Sequence, residues 1–131
     1  MEYALYKPDL GYYCSGARKF GRCARDGSDF ITAPERSPLF ARTLARVIEA
    51  ALDANDVCEV MEFGAGSGLL AAQLLNALGA RCARYTMVEL SSTLRARQRA
   101  TLNERAQCFA PRVRWLDTLP NRFAGVALAT L

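Results

Sequence analysis

The stretch Glu62-Phe63-Gly64-Ala65-Gly66-Ser67-Gly68 sets a carboxylate two residues ahead of three glycines, each separated from the next by one residue. Glycines spaced this way let the main chain take positive φ and let a ligand press against it, and a helix that follows offers the unpaired N–H groups of its first turn. A second carboxylate, Glu89, lies 27 residues beyond Glu62, and a third, Asp117, follows the apolar run Val113-Arg114-Trp115-Leu116. Three carboxylates and one glycine turn at related places in the chain are the ingredients of a nucleoside-type binding site.

The identity of the nucleoside follows from what does not fit. A dinucleotide fingerprint requires glycine at position 69, where the sequence has Leu69, so a nicotinamide dinucleotide is disfavoured. A carboxylate ending a second strand suits the two hydroxyls of a ribose, which places Glu89 but does not separate one nucleoside cofactor from another. Glu62 adds the distinction, because a negative side chain beside the turn repels a pyrophosphate and suits a ligand carrying an amino group and a sulfonium. S-adenosyl-L-methionine is that ligand, with Asp117 suited to accept from its adenine amino group. Taken singly, these features are also a tight connection, a solvated strand-end carboxylate and a turn initiator. Two other readings stay open at this stage: a nucleotide-dependent oxidoreductase with an unusual glycine turn, and a non-catalytic interaction module.

These groups converge only if strands end beside one another. Pro38 to Ala54 reads as a helix, with Ser37 as N-cap and Phe40, Leu44, Val47, Ile48 and Ala51 at helical spacing. Val57–Phe63 reads as a buried strand, Leu69–Leu78 as a helix closed by Gly79, and Tyr85–Val88 as the next strand. Ser91-Ser92 caps a helix to about Asn103, and Val113–Leu116 and Val126–Leu131 complete four strands. Alternating β and α segments predict an α/β fold, a parallel doubly wound sheet. Residues 1–36, with Gly11-Tyr12-Tyr13, Gly16, Gly21 and Gly27-Ser28-Asp29, read as a loop-rich segment covering the site of a 37–131 domain.

Composition narrows the chemistry. A chain of 131 residues, 51% hydrophobic and 23% charged, makes one globular domain. It has no histidine, which removes Ser-His-Asp and Cys-His catalysis and imidazole-based zinc sites. Lys7 and Lys19 are its only lysines and neither follows a glycine-rich turn, so a nucleoside-triphosphate P-loop is excluded. The net charge of +4 arises entirely within residues 57–131, where Arg95, Arg97, Arg99 and Arg105 read as a solvated helix face rather than a nucleic-acid patch. Five cysteines, Cys14, Cys23, Cys58, Cys82 and Cys108, form no CxxC pair and follow no secretory signal, so mostly buried, reduced thiols, no metal, no membrane and a cytoplasmic location are expected.

The pattern E-x-G-x-G-x-G followed by an acidic residue ending strand two resembles class I S-adenosyl-L-methionine-dependent methyltransferases, which implies a Rossmann-like sheet in order 3-2-1-4 with strand four as an exposed edge. Three further pieces resemble the MidA family, relatives of a mitochondrial complex I assembly methyltransferase: Tyr3-Ala4-Leu5-Tyr6 with Gly11-Tyr12-Tyr13, Asp29-Phe30-Ile31-Thr32-Ala33-Pro34-Glu35, and Val88-Glu89-Leu90-Ser91 through Leu94, Arg95 and Gln98. The resemblance implies that Gly64, Ala65, Gly66 and Gly68 hold the methionine end of the cofactor, Glu62 its amino group, Glu89 with Leu90 the ribose, and Asp117 the adenine. It implies that Asp29, Thr32 and Glu35 close the site, with Asp29 and Glu35 as the catalytic candidates and Glu35 orienting an acceptor guanidinium. It further implies a protein substrate, by analogy an arginine of a respiratory complex I subunit. Ser28 stands where that family usually has glycine, and relatives continue past Leu131 with an Asn-Glu-x-x-Asp-type loop and further strands. The sequence therefore reads as cut at both ends, with cofactor binding expected more than turnover and self-association expected through the exposed sheet edge.

Overall fold

The computed structural model describes residues 38–129. Three helices and four strands alternate: α1 (Pro38–Asn55), β1 (Glu59–Phe63), α2 (Leu69–Leu78), β2 (Arg84–Val88), α3 (Ser92–Arg105), β3 (Val113–Leu116) and β4 (Val126–Ala129). Short 3-10 turns, Gly79–Arg81 and Ala110–Arg112, lead into β2 and β3. The predicted segment 1–36, and with it Ser37 as a cap, lies outside the described residues.

All four strands run parallel, as the alternation predicts, in the order β3-β2-β1-β4 that the resemblance implies. The first strand starts two residues later than its apolar run. Val57 donates its N–H to the Leu52 carbonyl at the end of α1, while the Cys58 carbonyl accepts from Ala83, so pairing begins in earnest at Glu59.

Side chains alternate across a strand, and one parity builds the core. Val60, Tyr85, Met87, Val113, Trp115, Val126 and Leu128 pack with all three helices. On α2 the face is nearly continuous, Leu70, Ala71, Leu74, Leu75 and Leu78 being buried. On α1 the buried stripe is Ala41, Ala45, Ile48 and Leu52, one step round from the stripe of larger residues that the sequence suggests. Phe40 is 40% and Val47 63% exposed. The reason is steric: α1 lies against α2, and alanines at 41 and 45 let two backbones approach where bulky residues would hold them apart.

The caps agree with the sequence. Ser91 precedes α3 and its hydroxyl accepts from the Leu94 N–H at 3.2 Å, while Gly79 ends α2 at φ +56 and donates its N–H to Leu75. Among the described cysteines, Cys82 is buried as expected, whereas Cys58 and Cys108 are exposed; Cys14 and Cys23 lie outside the described residues. Both exposed residues sit in connections rather than in core positions of helices or strands.

Candidate active site

The glycine turn connects β1 to α2. Gly64, Gly66 and Gly68 take φ of +70, +57 and +85, so every second residue occupies a conformation that side chains rarely adopt. The turn closes on itself through Gly68 N–H to the Ala65 carbonyl at 3.0 Å, and Ala65 tucks its methyl into the core. Gly68 is the N-cap of α2 and carries no side chain to cap it. A Cβ on Gly68 would lie 3.1 Å from the Cα of Gln98, so α3 rests directly on this turn.

Strand register then sets the carboxylates. Phe63 pairs with Val88 and Val88 with Leu116, so the next residues in line across the sheet are Gly64, Glu89 and Asp117. The Glu89 N–H extends the ladder by donating to the Leu116 carbonyl at 2.9 Å. Neighbouring strands lie about 4.8 Å apart, so this row spans about 10 Å along the carboxyl ends of the sheet, the place where parallel α/β sheets bind ligands.

Glu89 is 3% exposed. Its Oε1 accepts from the Ser91 N–H at 2.9 Å and its Oε2 from the Gln98 amide at 3.3 Å. The Arg95 guanidinium donates to the Glu89 carbonyl at 2.7 Å, so Arg95 belongs to this region rather than to a wholly solvated face. Burial pushes the Glu89 carboxyl up from its usual range, against the pull of the Ser91 and Leu90 N–H groups, Gln98 and Arg95. Desolvation therefore outweighs the donors the protein supplies.

Glu62 points to the helix-packed side of β1 and is fully buried. Tyr85 donates its hydroxyl to Glu62 Oε2 at 2.6 Å. Burial first, and the Glu62 charge second, push the phenol well above its normal range, so it stays a neutral donor. Leu90, next to Glu89, is partly exposed, and Asp117 is exposed in the bend after β3. Gly64, Ala65, Gly66, Gly68, Glu62, Glu89 and Asp117 are thus brought to one end of β1, β2 and β3. Asp29, Thr32 and Glu35 lie outside the described residues. The site residues suit the proposed cofactor's groups: main chain at the turn, a buried acceptor at Glu89 and an exposed acceptor at Asp117.

Two residues of this cluster carry polar links that motif reading does not assign. Tyr85 faces Glu62 because it sits diagonally across the β1–β2 register, and Gln98 meets Glu89 only through the docking of α3. The signal for both is the same: a polar residue on an otherwise buried face, at β2 parity for Tyr85 and in line with Leu94 and Leu102 for Gln98.

Residues 39–130 match a family model described as "Putative S-adenosyl-L-methionine-dependent methyltransferase". The chain belongs to this family of S-adenosyl-L-methionine-dependent methyltransferases, and its sheet is the Rossmann-like sheet of that fold. Among solved structures it is similar to a superfamily member and "likely methyl transferase" from Burkholderia thailandensis bound to S-adenosyl-homocysteine, with 60% identity and a TM-score of 0.89. A second similar structure, an uncharacterized protein of the same superfamily and organism, gives 52% identity and a TM-score of 0.80. Each match covers 98% of this chain but 34% and 32% of the other, so the chain spans about a third of the length of these proteins. No curated protein matches the sequence. Among the described residues no helix is long and apolar enough to cross a membrane.

Proposed function

We propose that this chain forms the cofactor-binding half of a MidA-type protein methyltransferase acting on an arginine side chain. The observation that carries the reading is Glu89: a buried carboxylate at the end of β2, in line with the glycine turn. On this reading Gly64, Ala65, Gly66 and Gly68 face the methionine end, and Glu62 takes the amino group while Tyr85 holds one of its oxygens. Glu89 accepts from both ribose hydroxyls beside Leu90, and Asp117 accepts from the adenine amino group. When bound, the cofactor would supply an electrophilic methyl group on a sulfonium, whose carbon–sulfur bonding pair would return to sulfur on transfer.

An arginine acceptor needs a carboxylate to orient a guanidinium so that one nitrogen lines up with the methyl carbon. The resemblance gives that role to Glu35, with Asp29 and Thr32 closing the site, and a respiratory complex I subunit as substrate class. A cytoplasmic location belongs to the same reading. So does self-association through β4, which among the described residues pairs only with β1. Light scattering tests that part, a monomer at all concentrations removing it.

Calorimetric titration with S-adenosyl-L-methionine and S-adenosyl-homocysteine tests the cofactor assignment, with Glu89→Ala as control. Saturable binding that weakens about a hundredfold in the variant is expected, the scale of losing two hydrogen bonds to a charged acceptor. No heat from the parent chain overturns it. Acceptor class is tested separately, by methyl transfer to arginine-containing and arginine-free peptides.

A further inference from the structure

Gln98 is fully buried in the middle of α3, among leucines at 94 and 102. Its Nε2 donates to the Gly66 carbonyl at 3.0 Å and to Glu89 Oε2 at 3.3 Å. Its Oε1 accepts from the Trp115 indole at 2.9 Å. One amide therefore ties together the glycine turn after β1, the carboxylate after β2 and the strand β3.

The orientation of that amide is forced by its partners. An indole N–H only donates, so the carbonyl end must face Trp115; the Gly66 carbonyl and an ionised Glu89 only accept, so the NH2 end must face them. A reversed amide would break all three bonds. Trp115 is itself held, with the Arg99 guanidinium 4.6 Å from its ring centroid.

We propose that Gln98 is a positioning residue of the cofactor site: its amide, locked by Trp115, holds the Glu89 carboxylate in fixed register with the Gly66 peptide. The two segments that would receive the ribose and the methionine ends of the cofactor are separate in sequence, and this amide joins them. The proposal rests on the cofactor reading above. It differs from a simple satisfied core glutamine in what it controls. A core role affects folding alone, whereas a positioning role alters how the carboxylate binds and titrates.

The surroundings of Glu89 make that titration readable. Among the described residues Arg95 on α3 is the charged group acting on it, and the Ser91 and Leu90 N–H groups and Gln98 also favour the ionised form. The glycine turn contributes the Gly66 carbonyl to Gln98 and β3 the neutral Trp115 indole. Ribose hydroxyls need the carboxylate ionised to find both acceptors, so binding falls as pH drops through the Glu89 titration.

The experiment is calorimetric binding of S-adenosyl-homocysteine to the full chain and to Gln98→Met, Gln98→Glu and Trp115→Phe across a pH series, with thermal unfolding alongside. Gln98→Met keeps the volume and removes the polar links. It is expected to weaken binding about tenfold to a hundredfold at neutral pH and to shift the binding midpoint to higher pH, because Glu89 loses a donor. Gln98→Glu sets two carboxylates together that must share a proton, so its binding is expected to improve as pH falls from alkaline to neutral, the reverse of the parent. Trp115→Phe leaves the amide in place but unlocked, and a smaller loss of about threefold is expected. Trp115 is the only tryptophan, so Gln98→Met should also shift the emission of the ligand-free chain. If the parent binds and Gln98→Met keeps its affinity and pH midpoint, the proposal fails alone. If Gln98→Met does not fold, unchanged binding by Trp115→Phe overturns it. A parent that binds nothing at any pH removes the cofactor reading and this proposal together.

Discussion

The two ends of the sheet handle charge in opposite ways. At the amino ends of the strands, charges meet opposite charges in water: Arg81 pairs with Glu49 at 2.8 Å and also with Asp53, and Arg84 lies 3.6 Å from Glu59. Arg112 closes the same end by donating to the Gly79 and Cys82 carbonyls, at 3.0 and 3.2 Å. At the carboxyl ends, Glu62 and Glu89 are buried, and among the described side chains Tyr85 donates to Glu62 and Gln98 to Glu89. Exposed pairs contribute little and tolerate loss, whereas taking a carboxylate out of water is expensive in stability. Two buried carboxylates at one end therefore place there the desolvation cost that the proposed cofactor site would use.

The largest contrast should come from two glycines that mark these ends. At Gly68 both a φ of +85 and the backbone of α3, 3.1 Å from a Cβ, oppose a side chain. Gly68→Ala is expected to lose about 3 kcal/mol, from left-handed strain plus a forced shift of α3, and to weaken S-adenosyl-homocysteine binding with it. Gly79 has a φ of +56 but open space around a Cβ, so Gly79→Ala should lose only about 1 kcal/mol and leave binding intact. Urea denaturation and calorimetry on both variants read the difference; equal losses would erase the contrast between the ends.

Tyr85→Phe comes next. It removes the hydroxyl donated to a fully buried Glu62 without changing shape, and a loss of about 2 kcal/mol is expected. An unchanged denaturation midpoint would mean that Glu62 is held adequately by its other contacts.

Much of this arrangement is legible before any fold is known. Helix limits follow from Pro38, Gly68, Gly79 and Ser91, because caps and breakers act within a few residues. Parallel strands follow from alternation, their order from the resemblance, and the row Gly64, Glu89, Asp117 follows once both are in place. What resists is non-local. The α1 stripe turns by one residue because its neighbour α2 selects small side chains, and no periodicity within α1 carries that information. Gln98 stands 32 residues from Gly66, 9 from Glu89 and 17 from Trp115, so its part depends on helix docking rather than on a motif. Tyr85 reads equally well as core, and only the register with β1 sets its hydroxyl on Glu62.

The Glu89 carboxyl gives the contrast a pH signature. Its folded pKa is raised, so the protonated form is favoured by the fold: the relative stability is present below the unfolded pKa and is lost as pH rises through the folded value. Glu89→Gln, neutral at every pH, should therefore flatten this part of the stability profile and unfold no earlier than the parent near neutrality, while binding S-adenosyl-homocysteine about tenfold more weakly. Stability and binding moving in opposite directions is the mark of a residue kept for a ligand. A variant that lost both together would make Glu89 a structural acceptor instead.

The smallest effect is expected at the opposite end. Arg81 bridges α1 to the turn before β2 through Glu49 and Asp53, yet all three side chains are substantially exposed, so water competes for each of them. Hydrogen bonding and charge from Asp53 favour the charged guanidinium, but that group is charged throughout the accessible pH range, and this part contributes no pH dependence of its own. Arg81→Ala should shift the melting temperature slightly, and the shift should shrink further in molar salt because exposed pairs are screened. Binding should not change, since nothing at this end touches the row of Gly64, Glu89 and Asp117. If the shift proved large and survived salt, α1 would depend on this bridge for its docking, and the amino end would carry a share of stability that its exposure does not suggest.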